Sequence, residues 1–175
     1  MARAYRMSLW ERVRGLLEGH PERLQVARAM VKNGLSVRNG RVYLNEIEIA
    51  HARLARVAHV DRRTVRETVQ VIEHDPHLGE IFRSLGSAGP SLRGVARQLG
   101  LGVIEISADD AHGIGILAGA SRLLADAGLS VRQALVGDPE LDPEPKLTLI
   151  CDRSIPGTVV QAILRVRGIS RVTVG

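Results

Sequence analysis

The side chains best placed to do chemistry form two groups, and the first lies near position 60. Arg62, Arg66 and Gln70 are spaced at i, i+4 and i+8, which puts them along one face of a helix. Arginine can bind a phosphate or the guanine edge, and glutamine can read adenine. Together with Arg63 and Thr64 at the start of the same helix, they are the predicted DNA-binding residues.

The segment that carries these side chains has the spacing of a helix-turn-helix. Small or apolar residues stand where the two helices must meet: Leu54, Ala55, Ala58, Val60 and Val65. The turn holds His59 in place of the usual glycine, and histidine tolerates the left-handed conformation better than most residues. Such a module places its second helix in the DNA major groove. The alternative is a helical bundle with a merely solvated outer face, which Glu67 and Glu73 favour.

The second group lies near position 112 and combines acidic residues with glycine. Gly113 and Gly115 open a predicted helix, where unpaired N–H groups and the helix dipole can hold a carboxylate. Asp109 and Asp110 stand beside them and could hold an amine. A carboxylate site beside an amine site describes an α-amino acid. The alternative is that the glycines only allow a tight corner and the aspartates cap the helix.

The remaining reactive side chains do not form a catalytic or metal-binding pattern. Pro76 starts a helix between His74 and His77, which indicates a helix cap rather than a metal site. The acidic residues of the loop 137–145 lack the spacing of a calcium loop. Cys151 is the single cysteine, which excludes an intrachain disulfide and an all-thiolate metal site. We therefore expect no enzymatic activity, no cofactor and no bound metal.

The elements that must position the two groups change in type near residue 100. Before it, capping signals at Ser8, Asp61 and Asp75 and helical periodicity predict helices, with helical structure from Ile49 onward. One Asn-Gly pair, at 39–40, predicts a hairpin. A short helix is predicted over 92–99.

After residue 100, strands and helices alternate in the order βαββαβ, with Ser154 predicted to cap the second helix. That order is typical of the ferredoxin-like sandwich. The predicted fold class is α+β. Residues 1–86 are predicted to form a helical, helix-turn-helix-like domain with a short hairpin, 87–101 a linker with a short helix, and 102–175 the ferredoxin-like domain.

Composition supports this division. Residues 1–100 carry 17 Lys+Arg and 10 Asp+Glu, whereas residues 101–175 carry 7 and 9. A basic part suits an anionic partner, although a genome that favours arginine would produce the same bias. All four aromatic residues lie before residue 100, which excludes an RNA-recognition domain that stacks bases in the second part.

The N-terminal stretch is charged from Arg3 to Arg14 and has no apolar signal core. No apolar run reaches the length of about 18 residues that a membrane span needs. A cytoplasmic protein without membrane contact is therefore expected.

Residues 103–175 resemble an ACT domain, the small-molecule-binding regulatory module of amino-acid metabolism. The matching pieces are the strand 103–107, the loop 109–113, the following helix and the stretch 129–131. Through the stretches 61–68 and 102–106, the whole chain resembles the archaeal predicted regulators of amino-acid metabolism. These regulators join an N-terminal helical segment to a C-terminal ACT domain.

This resemblance implies a ligand site between two copies of the domain, at the loop of one copy and the second-strand start of the other. The residues it implies are His112, Gly113, Ile114, Ser130 and Val131, which join Asp109 and Asp110 as the predicted ligand-binding set. A homodimer through the ACT domain is expected, because pairing of edge strands would cover exposed backbone groups. A dimer also suits a palindromic DNA site.

Two functions follow from these expectations. The first is an amino-acid-responsive transcriptional regulator, in which an ACT domain binds an amino acid or a similar small metabolite and a helix-turn-helix-like domain contacts double-stranded DNA. The second is a regulatory subunit that senses an amino acid and binds a biosynthetic enzyme without contacting DNA.

Overall fold

The computed structural model describes residues 8–175. The chain divides into two compact units, the first up to Gly89 and the second from Pro90. Each unit combines helices with one antiparallel sheet, so the predicted α+β class is confirmed. Tyr5 and the start of the charged N-terminal stretch lie outside the described residues.

The first unit is mostly helical, with a small sheet inserted between its second and third helices. Its elements are α1 (Leu9–Leu16), α2 (Pro21–Lys32), β1 (Leu35–Arg38), β2 (Arg41–Leu44), β3 (Ile47–Ile49), α3 (His51–Ala58), α4 (Arg62–His74) and α5 (Pro76–Ser84). The strands pair in the order β1-β2-β3.

Two tight turns build this sheet, and the sequence predicted one of them. Asn39 and Gly40 have φ values of 52° and 71°, as the predicted hairpin turn requires. Asn45 also has a positive φ, of 54°, and reverses the chain into β3. The prediction of helical structure from Ile49 onward was therefore wrong at its start, because β3 is too short to show a strand alternation.

The predicted helix starts of the first unit are confirmed by their caps. Ser8 and Glu11 form a capping box at α1. The Asp61 carboxylate accepts the N–H of Arg63 at 2.6 Å, which fixes the start of α4. The Asp75 carboxylate accepts the N–H groups of His77 and Leu78 at 3.0 and 2.7 Å, which fixes the start of α5.

The second unit has the predicted βαββαβ order. Its elements are β4 (Gly102–Ala108), α6 (Ile116–Asp126), β5 (Val131–Val136), β6 (Leu147–Cys151), α7 (Gly157–Leu164) and β7 (Ile169–Val174). The strands lie in the order β5-β6-β4-β7 and all neighbours are antiparallel. β5 and β7 are the edge strands.

Both faces of this sheet are covered at its centre. The helices α6 and α7 pack on one face through a cluster that includes Ile104, Leu124 and Leu149. On the other face, Ala96 packs against Val103 and Ile150. Every residue of β6 is consequently buried.

Two helix predictions in the second unit were wrong. Over 92–99 the chain forms only a 3-10 turn at Arg93–Val95, because Gly94 disfavours a continued helix. Ser154 does not cap α7, which begins at Gly157 with Pro156 as its N-cap. Proline holds the residue before it in an extended conformation, so the helix cannot include Ile155.

Candidate functional site

The first candidate site is the outward face of α4, which the turn after α3 positions. His59 closes α3 in the left-handed conformation, with φ 53° and ψ 44°. Val65, Val69 and Ile72 are completely buried and hold one face of α4 against the first unit. The opposite face of the helix is consequently fixed toward solvent.

Arg62, Arg66 and Gln70 form the predicted row on this outward face. All three are exposed, and none of their side chains has a hydrogen bond or ion pair with a residue in 8–175. The two guanidinium groups and the amide therefore keep their donors available to an external acceptor. This arrangement suits contact with phosphates or base edges.

Arg63 and Thr64 do not join this row, because acidic residues hold both. Arg63 Nε lies 2.8 Å from Glu67 Oε1, and the hydroxyl of Thr64 donates to Glu22 of α2 at 3.2 Å. Arg23 of α2 pairs with the other oxygen of Glu67 at 2.9 Å. Hydrogen bonds from Arg63 and then Arg23 hold the pKa of Glu67 below its ordinary value. This side of α4 therefore serves its attachment to α2.

The two glutamates that favour a merely solvated face are both used inside the unit. Glu67 bridges Arg63 and Arg23, and Glu73 accepts the N–H of Gly40 at 2.8 Å. The second contact anchors the hairpin turn on α4. Neither carboxylate neutralises Arg62 or Arg66 in the described contacts.

The hairpin brings a further cation close to this face. Arg41 and Arg62 line the same surface hollow of about 340 Å³, together with His51. Arg41 pairs with Glu48 at 2.9 Å, and this hydrogen bond and charge raise the pKa of Arg41 above its ordinary value. Sequence reasoning did not assign Arg41 to the site, because its place depends on how the hairpin is anchored on α4.

The second candidate site is a cavity of about 470 Å³ in the second unit. Its apolar wall comes from three elements, through Ile106 of β4, Ile116 of α6 and Leu147 of β6. Two residues of the predicted ligand set, Asp110 and Gly113, line its rim. The volume lies within the range of about 300–1,000 Å³ that small-molecule sites occupy.

The loop that carries Asp110 is a tight turn rather than a helix cap. The Asp110 carboxylate accepts the N–H of His112 at 2.9 Å, and its carbonyl accepts the N–H of Gly113 at 2.9 Å. The N-cap of α6 is Gly115, with φ 92° and no side-chain hydrogen bond. The alternative in which the aspartates cap this helix is therefore wrong.

The other predicted ligand residues lie away from this cavity. Asp109, His112 and Ile114 are not part of its lining, and Ile114 is fully exposed. Ser130 and Val131 stand at the start of β5, whereas the cavity lies at its end, at Val136. A single chain does not bring Ser130 and Val131 to the loop 109–114.

The residues that close the cavity instead come from the turn between β5 and β6. They are Val136, Gly137, Pro145 and Lys146, none of which was predicted. Gly137 donates its N–H to the carbonyl of Lys146 at 2.9 Å. Finding these residues requires the register of the sheet. Leu147 of β6 pairs with Val136 of β5 on one side and with Ile106 of β4 on the other.

The remaining titratable groups do not form a third site among residues 8–175. No group of three or more His, Cys, Asp or Glu residues in this range could hold a metal ion. Cys151 is buried, and burial together with the charge of Asp152 raises the pKa of its thiol. In the same range, no helix has the length and apolar character that crossing a membrane requires.

Comparison with known proteins finds similarity to solved structures. No family model matches the chain, and no curated protein matches it. Among solved structures, the chain is similar to E. coli AsnC, with 14% identity over 87% of each chain and a TM-score of 0.22. The function is therefore inferred from the geometry of the two candidate sites.

Proposed function

We propose that the chain is an amino-acid-responsive regulator of transcription that acts in the cytoplasm and has no catalytic step. The first unit contacts double-stranded DNA as a helix-turn-helix module, and the second, as an ACT-type domain, binds a small amino acid. The observation that carries this proposal is the outward row of Arg62, Arg66 and Gln70, whose side chains have no partner among the described residues.

The position of the row supports contact with DNA. Arg62 is the first residue of α4, and Asp61 caps this helix end, so the row begins at the end that a recognition helix presents to bases. The adjacent glutamates leave Arg62 and Arg66 unpaired. Glu67 binds Arg63 and Arg23 instead.

The second unit supports the regulatory part of the proposal. Its cavity lies beside the loop 109–113, where the sequence predicted an amino acid. Its edge strand β5 is largely exposed, and a second copy that paired along this edge would satisfy the open backbone groups. A homodimer of this kind would present two copies of α4 to a palindromic site.

Regulation requires that the amino acid bind two states of the protein with different affinities. A ligand that shifts the equilibrium between a DNA-binding state and a non-binding state would change the apparent DNA affinity by the same coupling factor. The amino acid and DNA would therefore influence each other reciprocally.

The test is a fluorescence-anisotropy titration of the full chain against a labelled duplex of mixed sequence in a KCl series. Binding should weaken steeply with salt, because neutralised phosphates release counterions. The double variant Arg62→Ala/Arg66→Ala should lower the affinity at least about tenfold and reduce the salt slope by about two.

The matched control is Arg165→Ala/Arg167→Ala, which removes the same charge from two exposed residues of the second unit. This control should leave both affinity and salt slope nearly unchanged. If both double variants lost DNA affinity equally, the loss would come from the lower net charge and not from the row on α4. A salt-independent or absent response would favour the regulatory subunit that binds an enzyme without DNA.

A further inference from the structure

The first unit contains a surface hollow of about 630 Å³ that neither candidate site uses. Its lining comes from the end of α2, the small sheet, α3 and the segment 86–89. The volume lies within the range of about 300–1,000 Å³ that small-molecule sites occupy. None of the lining residues belongs to α4, so the hollow is separate from the proposed DNA surface.

Apolar side chains form the base of this hollow. Leu35 and Leu54 are only 6% and 2% exposed, and Leu44 and Ile49 are half-buried. Val57 of α3 also lines the hollow but is 63% exposed. A molecule with an apolar part would cover Val57 and gain free energy by removing this surface from water.

The segment 86–89 has small side chains, and its backbone is held beside the hollow. The N–H of Ser87 donates to Asn45 Oδ1 at 3.2 Å. Gly34 has a φ of 61°, and a Cβ atom there would lie 2.5 Å from the carbonyl oxygen of Gly86. The segment therefore passes directly over Gly34, and a larger residue would push it away. One side of the hollow is consequently formed by backbone whose place is fixed.

The charge of the lining has one sign. Lys32 and Arg53 are the only charged residues that line the hollow. Their side chains have no hydrogen bond or ion pair with a residue in 8–175. Arg53 and Val57 stand four residues apart on α3, so both side chains lie on the same side of this helix. The lining therefore combines positive charge with apolar surface and contains no acidic group.

We propose that this hollow binds a small organic anion, a carboxylate with an apolar chain. The chain lies against Leu44, Leu54 and Val57, and the carboxylate lies on the side that Lys32 and Arg53 line. A guanidinium group suits this role because it can donate two parallel hydrogen bonds to a carboxylate. The site belongs to the first unit and needs neither the DNA nor the amino acid of the proposed function.

The test is isothermal titration of the full chain with octanoate, compared with octylamine, octan-1-ol and butanoate. Octanoate should bind, and octylamine and octan-1-ol should bind at least about tenfold more weakly, because they have the same chain without the negative charge. Butanoate should also bind at least about tenfold more weakly than octanoate, because it buries less apolar surface.

Variants separate the lining charges from charge in general. Arg53→Met should lower octanoate affinity at least about fivefold, and Lys32→Met/Arg53→Met should remove the preference for octanoate over octan-1-ol. The matched control is Arg56→Met, which removes the same charge from an exposed residue of α3 that does not line the hollow. This control should leave octanoate binding unchanged, and circular dichroism should show that each variant folds.

Amide chemical shifts of the full chain locate the bound molecule. Octanoate should move the signals of Val57 and Ser87, and shifts confined to the second unit would overturn the inference. It is also overturned if octanoate does not bind, if octylamine or octan-1-ol binds as tightly, or if Arg56→Met weakens binding as much as Arg53→Met. If octanoate does not bind and Val57→Asp dissociates a dimer in light scattering, a second copy covers the hollow instead.

Discussion

The outward face of α4 and the cavity of the second unit present their polar groups in opposite ways. The α4 face is a convex row on a single helix of 13 residues, and the packing of Val65, Val69 and Ile72 holds that helix in place. The cavity is assembled from a loop, a helix start and a turn between strands, so its lining residues come together only through the fold. A surface built on one element should depend on single side chains, whereas an assembled cavity should depend on backbone and packing.

The largest expected effect comes from removing a buried side chain beneath the cavity. Leu124 of α6 is completely buried in the core that supports the cavity wall. Leu124→Ala should lower the free energy of unfolding by about 2–5 kcal/mol, because it leaves a cavity in a close-packed core. Urea denaturation measures this loss, and amino-acid binding should weaken with it.

The counterpart in the first unit is Ile72→Ala, which creates a similar void under α4. If DNA affinity falls in Ile72→Ala and amino-acid affinity falls in Leu124→Ala, the two sites have separate supports. If either variant weakens both kinds of binding equally, the comparison fails.

A smaller effect is expected from a backbone change at the turn that closes the cavity. In Gly137→Val the new side chain would meet Lys146 and Pro145 backbone atoms, so the turn must shift. The expected cost is about 1–3 kcal/mol of stability, as for other overpacked sites. Thermal unfolding measures this cost, and binding of the proposed amino-acid ligand should be lost. Gly157→Ala, with nothing within 4 Å of the new methyl group, is the control and should be nearly neutral.

The cap of α4 provides a test on the helical side. Asp61→Ala removes the acceptor for the N–H of Arg63 and should destabilise the protein by about 1 kcal/mol. Because Arg62 follows this cap directly, DNA affinity should fall too. Ser8→Ala removes the corresponding cap of α1 and should cost similar stability without a change in DNA affinity. Equal effects on DNA binding would show that general destabilisation is responsible.

The smallest expected effect concerns Glu67, which pairs with Arg63 and with Arg23 of α2 on the side of α4 that faces α2. Its pKa is lowered in the folded protein, so its stabilising contribution is present above the ordinary carboxylate pKa of about 4.3 and is lost as pH falls below that value. Glu67→Gln should therefore flatten the acid side of a Tm-against-pH profile.

The same variant releases Arg63 and should raise DNA affinity slightly, with a salt slope steeper by up to about one. Glu80→Gln on α5 removes an exposed carboxylate of the same type and is the control. If Glu80→Gln flattened the Tm-against-pH profile as much as Glu67→Gln, the ion pairs of Glu67 would not be responsible for the effect.

The contrast between the sites also explains what the sequence could predict. The row on α4 follows from a helical period of 3.6 residues and a cap at Asp61, both of which are local properties. The attachment of Arg63 through Glu67 also has a local signal, the i, i+4 spacing. The contacts of Glu67 with Arg23 and of Glu73 with Gly40 join distant segments, and no local pattern indicates them.

For the cavity, the sequence predicted the loop with Asp110 and Gly113 but missed Lys146. The reason is that Lys146 reaches the cavity through strand pairing, and its place depends on the register between β5 and β6. The strand β3 and the turn at Arg93–Val95 were missed for a different reason. Both segments are short, and their form depends on what they pack against rather than on periodicity.

The strand order of the second unit has a consequence for how fast each unit forms. In the first unit, β1 pairs with β2, β2 with β3, α3 packs on α4 and α4 on α5, so many contacts join neighbours along the chain. In the second unit the central strand β4 pairs with β6 and β7, and Ile104 finds Val174 only after a long loop has closed. Distant pairings of this kind slow the search for the native topology. We therefore expect the first unit to refold faster than the second, which stopped-flow refolding of the two units' core variants would measure.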